Sequence, residues 1–445
     1  MKALGDSSSP LLGRLFTSPR VQAIPDMLLP GVALLVRRVL LPAATLLAPR
    51  VLLPAATLIV AFLAVPSLAH AQTTWLTGYY QNVPLWSQKT ELSAGGLSDF
   101  NRFRLTSEPT FGQFSIEIAY EQLLTFRQHK NDLVPGIGDG IEPSGGEWLD
   151  LQWTIVDEEH VLWRHRFDRL NITWRPNRRL EFSAGRQAVS WATTLFLTPA
   201  DPFTPFDPAD PFRVFRAGVD ALRARVYPTA LSEIDVVVRP TKSDFLGEEM
   251  TALARGLTAW KGWEVSGWGG SLYGDTSGAF GLAGDLAGMA VRGEGVVRRV
   301  DENTVFRGSI GIDRQLNVNG KDLFLLLEYQ HDGLAAASSD EYLDLFRTDP
   351  FIRGELQVLG RNETAVQASY QLHPLWGISA MWLWNLNDRS TLIGPSFSHS
   401  ASDEATVSGG AFFGFGDDEP TEGRPLPSEY GLAGATLWVS ASWYF

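Results

Sequence analysis

Hydrophobic and polar positions alternate with a period of two in many short segments after residue 71, and Gly, Pro, Asn and Asp separate the segments. That alternation puts apolar side chains on one face of a strand and polar ones on the other; an amphipathic helix would need spacings of three and four. At the carboxyl end Leu437, Val439, Ala441, Trp443 and Phe445 share one face, and Trp438, Ser440, Ser442 and Tyr444 the other. Leu170, Ile172 and Trp174 alternate in the same way with Arg169, Asn171, Thr173 and Arg175. The pattern predicts 18 candidate strands, from near residues 73–82 to near 434–445, including 278–292, 293–300 and 353–372. Some neighbours read equally well as one long strand, so the expected count is about 16, with 14 and 18 open and even parity.

The first 71 residues differ in kind. Residues 51–68 are apolar, Arg37, Arg38 and Arg50 precede them, and Ala69-His70-Ala71 follows. A basic region, an apolar core and an A-x-A site make a cleaved signal peptide, and Pro54 and Pro66 interrupt the run as a membrane anchor would not favour. The leader is long, and Val39–Leu46 (VLLPAATL) recurs at Val51–Leu58, so that Met27 is a plausible start. Residues 72–445 then form the mature domain, without a visible linker or second domain.

Alternation alone fits a soluble sandwich as well as a barrel in lipid. Three features favour the barrel. Aromatic residues gather toward strand ends, as in Trp75, Tyr79, Tyr80, Trp260, Trp263, Trp376 and Trp443, where interface girdles place them. Gly is frequent inside strands, as at Gly267, Gly269, Gly278 and Gly281. Tight turns such as Pro176-Asn177 and Trp260-Lys261-Gly262 alternate with long polar excursions. The expected fold is therefore all-β: a transmembrane, antiparallel, up-and-down β-barrel. The chain has no Cys, so closure of a sheet rather than a disulfide must hold it. Removal of residues 1–71, with six Lys/Arg and two Asp/Glu, takes the formal charge from −13 to −17, which excludes nucleic acid as a bulk-charge partner.

Arginines recur two residues apart at Arg102 and Arg104, Arg164 and Arg166, and Arg223 and Arg225, so each pair projects to one side of its strand. Lipid rejects such pairs, and the lumen is their expected destination. There they either bias a pore toward anions or brace the wall by pairing with acids such as Glu117, Glu121, Asp168 and Asp220. Gly185-Arg186-Gln187 and Trp191 lead into Pro199-Ala200-Asp201-Pro202-Phe203 and its near copy Pro208-Ala209-Asp210-Pro211-Phe212. No strand continues through so many prolines, so a long loop is expected, with Arg186, Gln187, Trp191, Asp201, Asp207 and Asp210 as its candidate constriction residues. Asp-Pro is ordinary turn chemistry, and no metal or cofactor is assigned to these aspartates. The six mature histidines lack metal-ligand spacing, no G-x-S-x-G motif occurs, and no catalytic residue is assigned.

The terminal alternation ending in Trp443 and Phe445 resembles the membrane-insertion signal of outer-membrane barrels. The Gly-Arg-Gln before a long loop resembles substrate-selective outer-membrane porins, including the alginate-export type, over about residues 180–227 and the last strand. That resemblance implies a passive channel for small hydrophilic or anionic solutes in the outer membrane of a Gram-negative bacterium. The expected partners are the lipid bilayer, lipopolysaccharide, the barrel-assembly machinery and the solute itself. The alternative is a closed structural or binding barrel, such as an adhesin or assembly partner.

Overall fold

The structure, a computed structural model, describes residues 76–91, 93–130, 146–203, 212, 215–300 and 302–445. The leader, Asp207 and Asp210 lie outside the described residues. The strands are β1 (Leu76–Ser87), β2 (Gly96–Ser107), β3 (Thr110–Phe111), β4 (Phe114–Arg127), β5 (Gln152–Asp157), β6 (Val161–Asn177), β7 (Leu180–Gln187), β8 (Val219–Thr229), β9 (Ser232–Ser243) and β10 (Gly247–Trp260). They continue as β11 (Trp263–Leu272), β12 (Asp275–Leu286), β13 (Met289–Val300), β14 (Asn303–Val318), β15 (Lys321–Asp332), β16 (Asn362–His373), β17 (Trp376–Asn385), β18 (Thr391–Ser400), β19 (Ala405–Phe415) and β20 (Ala435–Tyr444).

Eighteen of these close into one antiparallel barrel, the upper end of the expected range. The short β3 pairs with β4, and β5 pairs with the first half of β6. Closure comes from β1 against β20, with Tyr80 opposite Trp443 and Asn82 opposite Ala441. One end of the barrel has tight turns, at 178–179, 230–231, 261–262, 287–288 and 319–320, and the other has long connections, at 128–160, 188–218, 333–361 and 416–434. At Lys261-Gly262, Ala287-Gly288 and Asn319-Gly320 both turn residues have positive φ, between 50° and 84°. Such a turn matches the right-handed twist of a hairpin and needs Gly at its second position.

Alternation sorts the side chains as the sequence leads one to expect. Leu222, Val236, Val297, Ile310 and Leu327 stand exposed on the outside, while their chain neighbours Asp235, Arg298, Ser309 and Glu328 are buried within. An outer surface of this apolar extent is suited to lipid, where a closed barrel is the one sheet that leaves no unpaired edge. Trp174, Trp260, Trp376 and Trp443 ring the turn end, and Trp86, Trp382 and Trp384 lie toward the loop end. On β20, Val439, Trp443 and Phe445 face outward and Thr436, Trp438 and Ser440 are buried inside.

Three local expectations are corrected. Pro176 and Asn177 end β6, and the turn itself is Arg178-Arg179. The boundary expected near 292/293 lies at Ala287-Gly288, hidden in a run where many positions are Gly or Ala. The strand expected over 353–372 begins only at Asn362; before it, helical turns at Tyr342–Leu345 and Asp349–Ile352 belong to the 333–361 connection.

Candidate functional site

β7, with 8 residues, is the shortest strand of the barrel wall, so the chain leaves the wall partway up and turns inward. Gly185 makes the departure possible: its φ is +115°, and a Cβ there would stand 2.3 Å from the Leu170 carbonyl oxygen. Arg186, 1% exposed, holds the site of departure. Its guanidinium donates to Asp220 at 2.8 and 2.9 Å, to the Leu149 carbonyl at 2.7 Å and pairs with Glu147 at 2.8 Å. Gln187 donates to the Ala221 carbonyl at 3.0 Å. These two residues anchor the loop at its root.

Residues 188–203 then cross the inside of the barrel. Trp191 donates its indole N–H to Asp235 of β9 at 2.8 Å and meets Phe203 edge-on at 5.0 Å. The backbone N–H groups that follow would be orphaned away from water, and two buried glutamates of the far wall accept them. Glu294 of β13 takes Thr193 and Thr194 through one oxygen, at 2.6 and 3.1 Å, and Ala200 through the other, at 3.0 Å. Glu328 of β15, 0% exposed, takes Leu195, Phe196 and Leu197 at 2.7, 2.9 and 2.7 Å. Charge-assisted bonds of this kind are about twice as strong as neutral ones. Trp268 of β11 donates to the Ala200 carbonyl at 3.1 Å. Asp201 accepts from Ser190 at 2.8 Å and pairs with Arg216 of the same loop.

Phe212, further along the loop, is also inside. Phe212 stands edge-on to Trp438 of β20 at 5.0 Å, and its carbonyl accepts from Arg102 of β2 at 2.7 Å. Phe196, Leu197 and Phe212 join one apolar cluster with Leu326, Leu383 and Leu392 of the wall. A second connection buttresses the first. Gln357 accepts from Thr198 N–H at 2.5 Å and donates to the Phe196 carbonyl at 3.0 Å. Glu355 pairs with Arg298 at 2.5 Å, and Arg307 with Asp332 at 2.8 Å.

The arginine pairs all lie on the inward face, with acids among them. Arg104 pairs with Glu121 at 2.6 Å and Asp168 at 2.7 Å, and Arg166 with Glu121 at 2.6 Å. A bulge in β6 opposite Ala119 turns Asp168 and Arg169 inward together. Arg223 forks onto Asp235, which is 0% exposed, at 2.6 to 3.1 Å, and Arg225 pairs with Glu181. Arg164, half-buried, lines a cavity of about 30 Å³ with Arg102, Glu121 and Leu123. Arg102 bonds a carbonyl and, unlike Arg104, forms no ion pair among the described residues.

No family model and no curated protein matches the chain in sequence. Solved structures do match in shape. A crystal structure of Acinetobacter baumannii OccAB1 aligns over 83% of this chain and 96% of its own, with 8% identity and a TM-score of 0.51. A BenF-like porin from Pseudomonas fluorescens Pf-5 aligns over 83% and 98%, with 9% identity and a TM-score of 0.51. At that identity the likeness concerns the fold: this chain has the barrel of outer-membrane porins.

Proposed function

We propose that the chain is a passive channel of a Gram-negative outer membrane, admitting small hydrophilic solutes and favouring anions. The in-folded loop carries the proposal. A closed barrel of this size encloses water unless something enters it, and residues 188–203 enter it on a rigid set of bonds to Glu294 and Glu328. An element so fixed sets the width of a passage, as a plug on a hinge would not. The anion bias rests on Arg102, whose guanidinium bonds a carbonyl rather than a carboxylate, since local field rather than the net charge of the chain governs selectivity.

The apolar cluster around Phe196, Leu197 and Phe212 favours a second reading, a closed barrel that binds or scaffolds. Planar-bilayer recording of the refolded protein separates the two. A channel gives discrete current steps and a reversal potential on the anion side; a closed barrel gives no steps. Arg102→Gln is the cleanest selectivity variant, because it strands no carboxylate, whereas Arg223→Gln would leave Asp235 buried without its cation. The expected result is a reversal potential displaced toward cations. An unchanged value would assign the arginines to bracing alone.

A further inference from the structure

The outer wall is not evenly filled. Where β6, β7, β8 and β9 adjoin, the register sets Trp174, Phe182, Ala224 and Val236 in one outward row, and Ile172, Ala184, Leu222 and Val238 in the next row toward the loop end. Ala184 and Ala224 are the small side chains of the two rows and lie diagonally. A groove of about 390 Å³ opens over them, between Ile172 and Phe182 on one side and Leu222 and Val236 on the other. Trp174 stiffens its turn-side end: the ring stacks between Phe114 and Phe182, at 6.2 and 5.6 Å, and the indole N–H donates to Gln113 at 3.4 Å.

Beyond the groove, in line with Trp174 and Phe182, stands the turn Arg178-Arg179 that joins β6 to β7, about 13 Å along the strand from Trp174 at 3.3 Å per residue. Both arginines are exposed, and neither enters an ion pair among the described residues. The turn is fixed by Asn177, which accepts the Arg179 backbone N–H at 2.8 Å. The nearest acid in the chain, Glu181, faces inward and is taken by Arg175 and Arg225. The other tight turns, at 230–231, 261–262, 287–288 and 319–320, hold a single cation, Lys261, and it lies over the Trp260 ring. Two free cations therefore stand at the one turn that heads this groove.

We infer that the groove and the Arg178-Arg179 turn form a binding site for an anionic phospholipid, with an acyl chain over Ala184 and Ala224 and the phosphate at the two arginines. An unfilled groove forfeits dispersion contacts, so hydrocarbon enters it, but that alone selects no headgroup. The arginines select. Trp174 belongs to the aromatic ring that marks headgroup depth, and long basic side chains just beyond that depth reach back to a phosphate. A headgroup of net negative charge gains both cations, whereas a zwitterionic one sets its own ammonium against them. Tight turns of such barrels face the periplasm, so the lipid is drawn from the inner, phospholipid leaflet. The inference needs the barrel to lie in a bilayer and does not depend on whether it conducts.

The test is native mass spectrometry of protein refolded into vesicles of equal phosphatidylglycerol and phosphatidylcholine and then released into mild detergent. The parent should retain phosphatidylglycerol in preference to phosphatidylcholine, by about fivefold for each arginine from the usual strength of a basic side chain at an anionic surface. Arg178→Gln with Arg179→Gln should bring the ratio near one, while Lys261→Gln should leave it unchanged. Ala184→Leu with Ala224→Leu fills the groove and should remove retention of both lipids, with strand content unchanged by circular dichroism. Equal retention of the two lipids by the parent, a preference that survives loss of both arginines, or an equal loss with Lys261→Gln would overturn the inference. So would undiminished retention by a folded, groove-filled barrel. Should the alanine changes unfold the barrel, the arginine pair decides, since it lies on an exposed turn.

Discussion

At the scale of single residues, Arg186 is the most exposed to test, although it is among the least exposed to water. Its removal leaves Asp220 buried with the amides of Trp148 and Leu149 in place of a cation, and takes away the Arg186–Glu147 pair. Breaking a buried pair by deleting one partner costs about 3–5 kcal/mol. Arg186→Ala should therefore lower the urea midpoint of the refolded barrel, and a midpoint within error of the parent would remove Arg186 as the anchor. Glu429, in the 416–434 connection, offers a test by pH. Burial pushes its carboxyl up to about 7, and nearby Asp388 adds to the rise, against the amides of Leu359 and Gly360 that donate to it at 2.7 and 3.1 Å. A raised carboxyl pKa means that the folded connection favours the protonated form. Its contribution is complete below the ordinary value of 4.5 and is lost as pH rises to about 7. Hydrogen-exchange protection of the Leu359 and Gly360 amides should fall across that window, and Glu429→Gln should flatten the fall. Equal pH dependence in both proteins would show that Glu429 does not hold the connection.

At the scale of elements, two segments offer tests of assembly and of the proposed passage. Phe445 is bonded through its backbone to Gly78 in both directions, at 2.8 and 3.0 Å, and its ring stacks on Phe103 outside the wall. Phe445→Asp should reduce the folded fraction in the outer membrane severalfold, while Ser442→Asp, on the opposite face, should not. Equal yields would deny the terminal ring its role. For the in-folded loop, Glu328→Gln keeps the shape but leaves one acceptor oxygen, so at least one of the bonds from Leu195, Phe196 and Leu197 is lost and the rest lose their charge assistance. Open-channel current noise should increase, and unaltered noise would mean that the loop is held without that charge.

These same elements show what the sequence makes legible. Strand type and facing were readable because a single period of two serves the whole wall, and the outward Leu437, Val439 and Trp443 follow it. The inward arginine pairs were readable for the same reason, and so were Glu121 and Asp168 as their partners. Asp220 was not, because the register of β7 against β8 sets it directly opposite Arg186. Glu294 and Glu328 were missed altogether. Glu294 is the one carboxylate of β13, and Glu328 interrupts β15 directly after the apolar run Leu323–Leu327, and those contrasts were the available signal. What such a glutamate binds depends on a loop more than a hundred residues away, as for Thr193 and Glu294, and no local pattern encodes that distance.

At the scale of the whole molecule, the joint between β1 and β20 bears on how the barrel is made. Gln81 donates to Ser440 across 359 residues of chain, so the contact that completes the ring is the most remote that the strands make. Bringing such distant points together costs about 5 kcal/mol in chain entropy, from the logarithmic dependence on length. Every other hairpin can form first, since its strands adjoin in sequence. The growing sheet must then exist for a time as an open ribbon with β1 and β20 as raw edges, each a template for stray pairing with another chain. Such an intermediate persists only if those edges are kept from other chains until they meet, and a chain cut anywhere before its last strand would leave one of them bare for good.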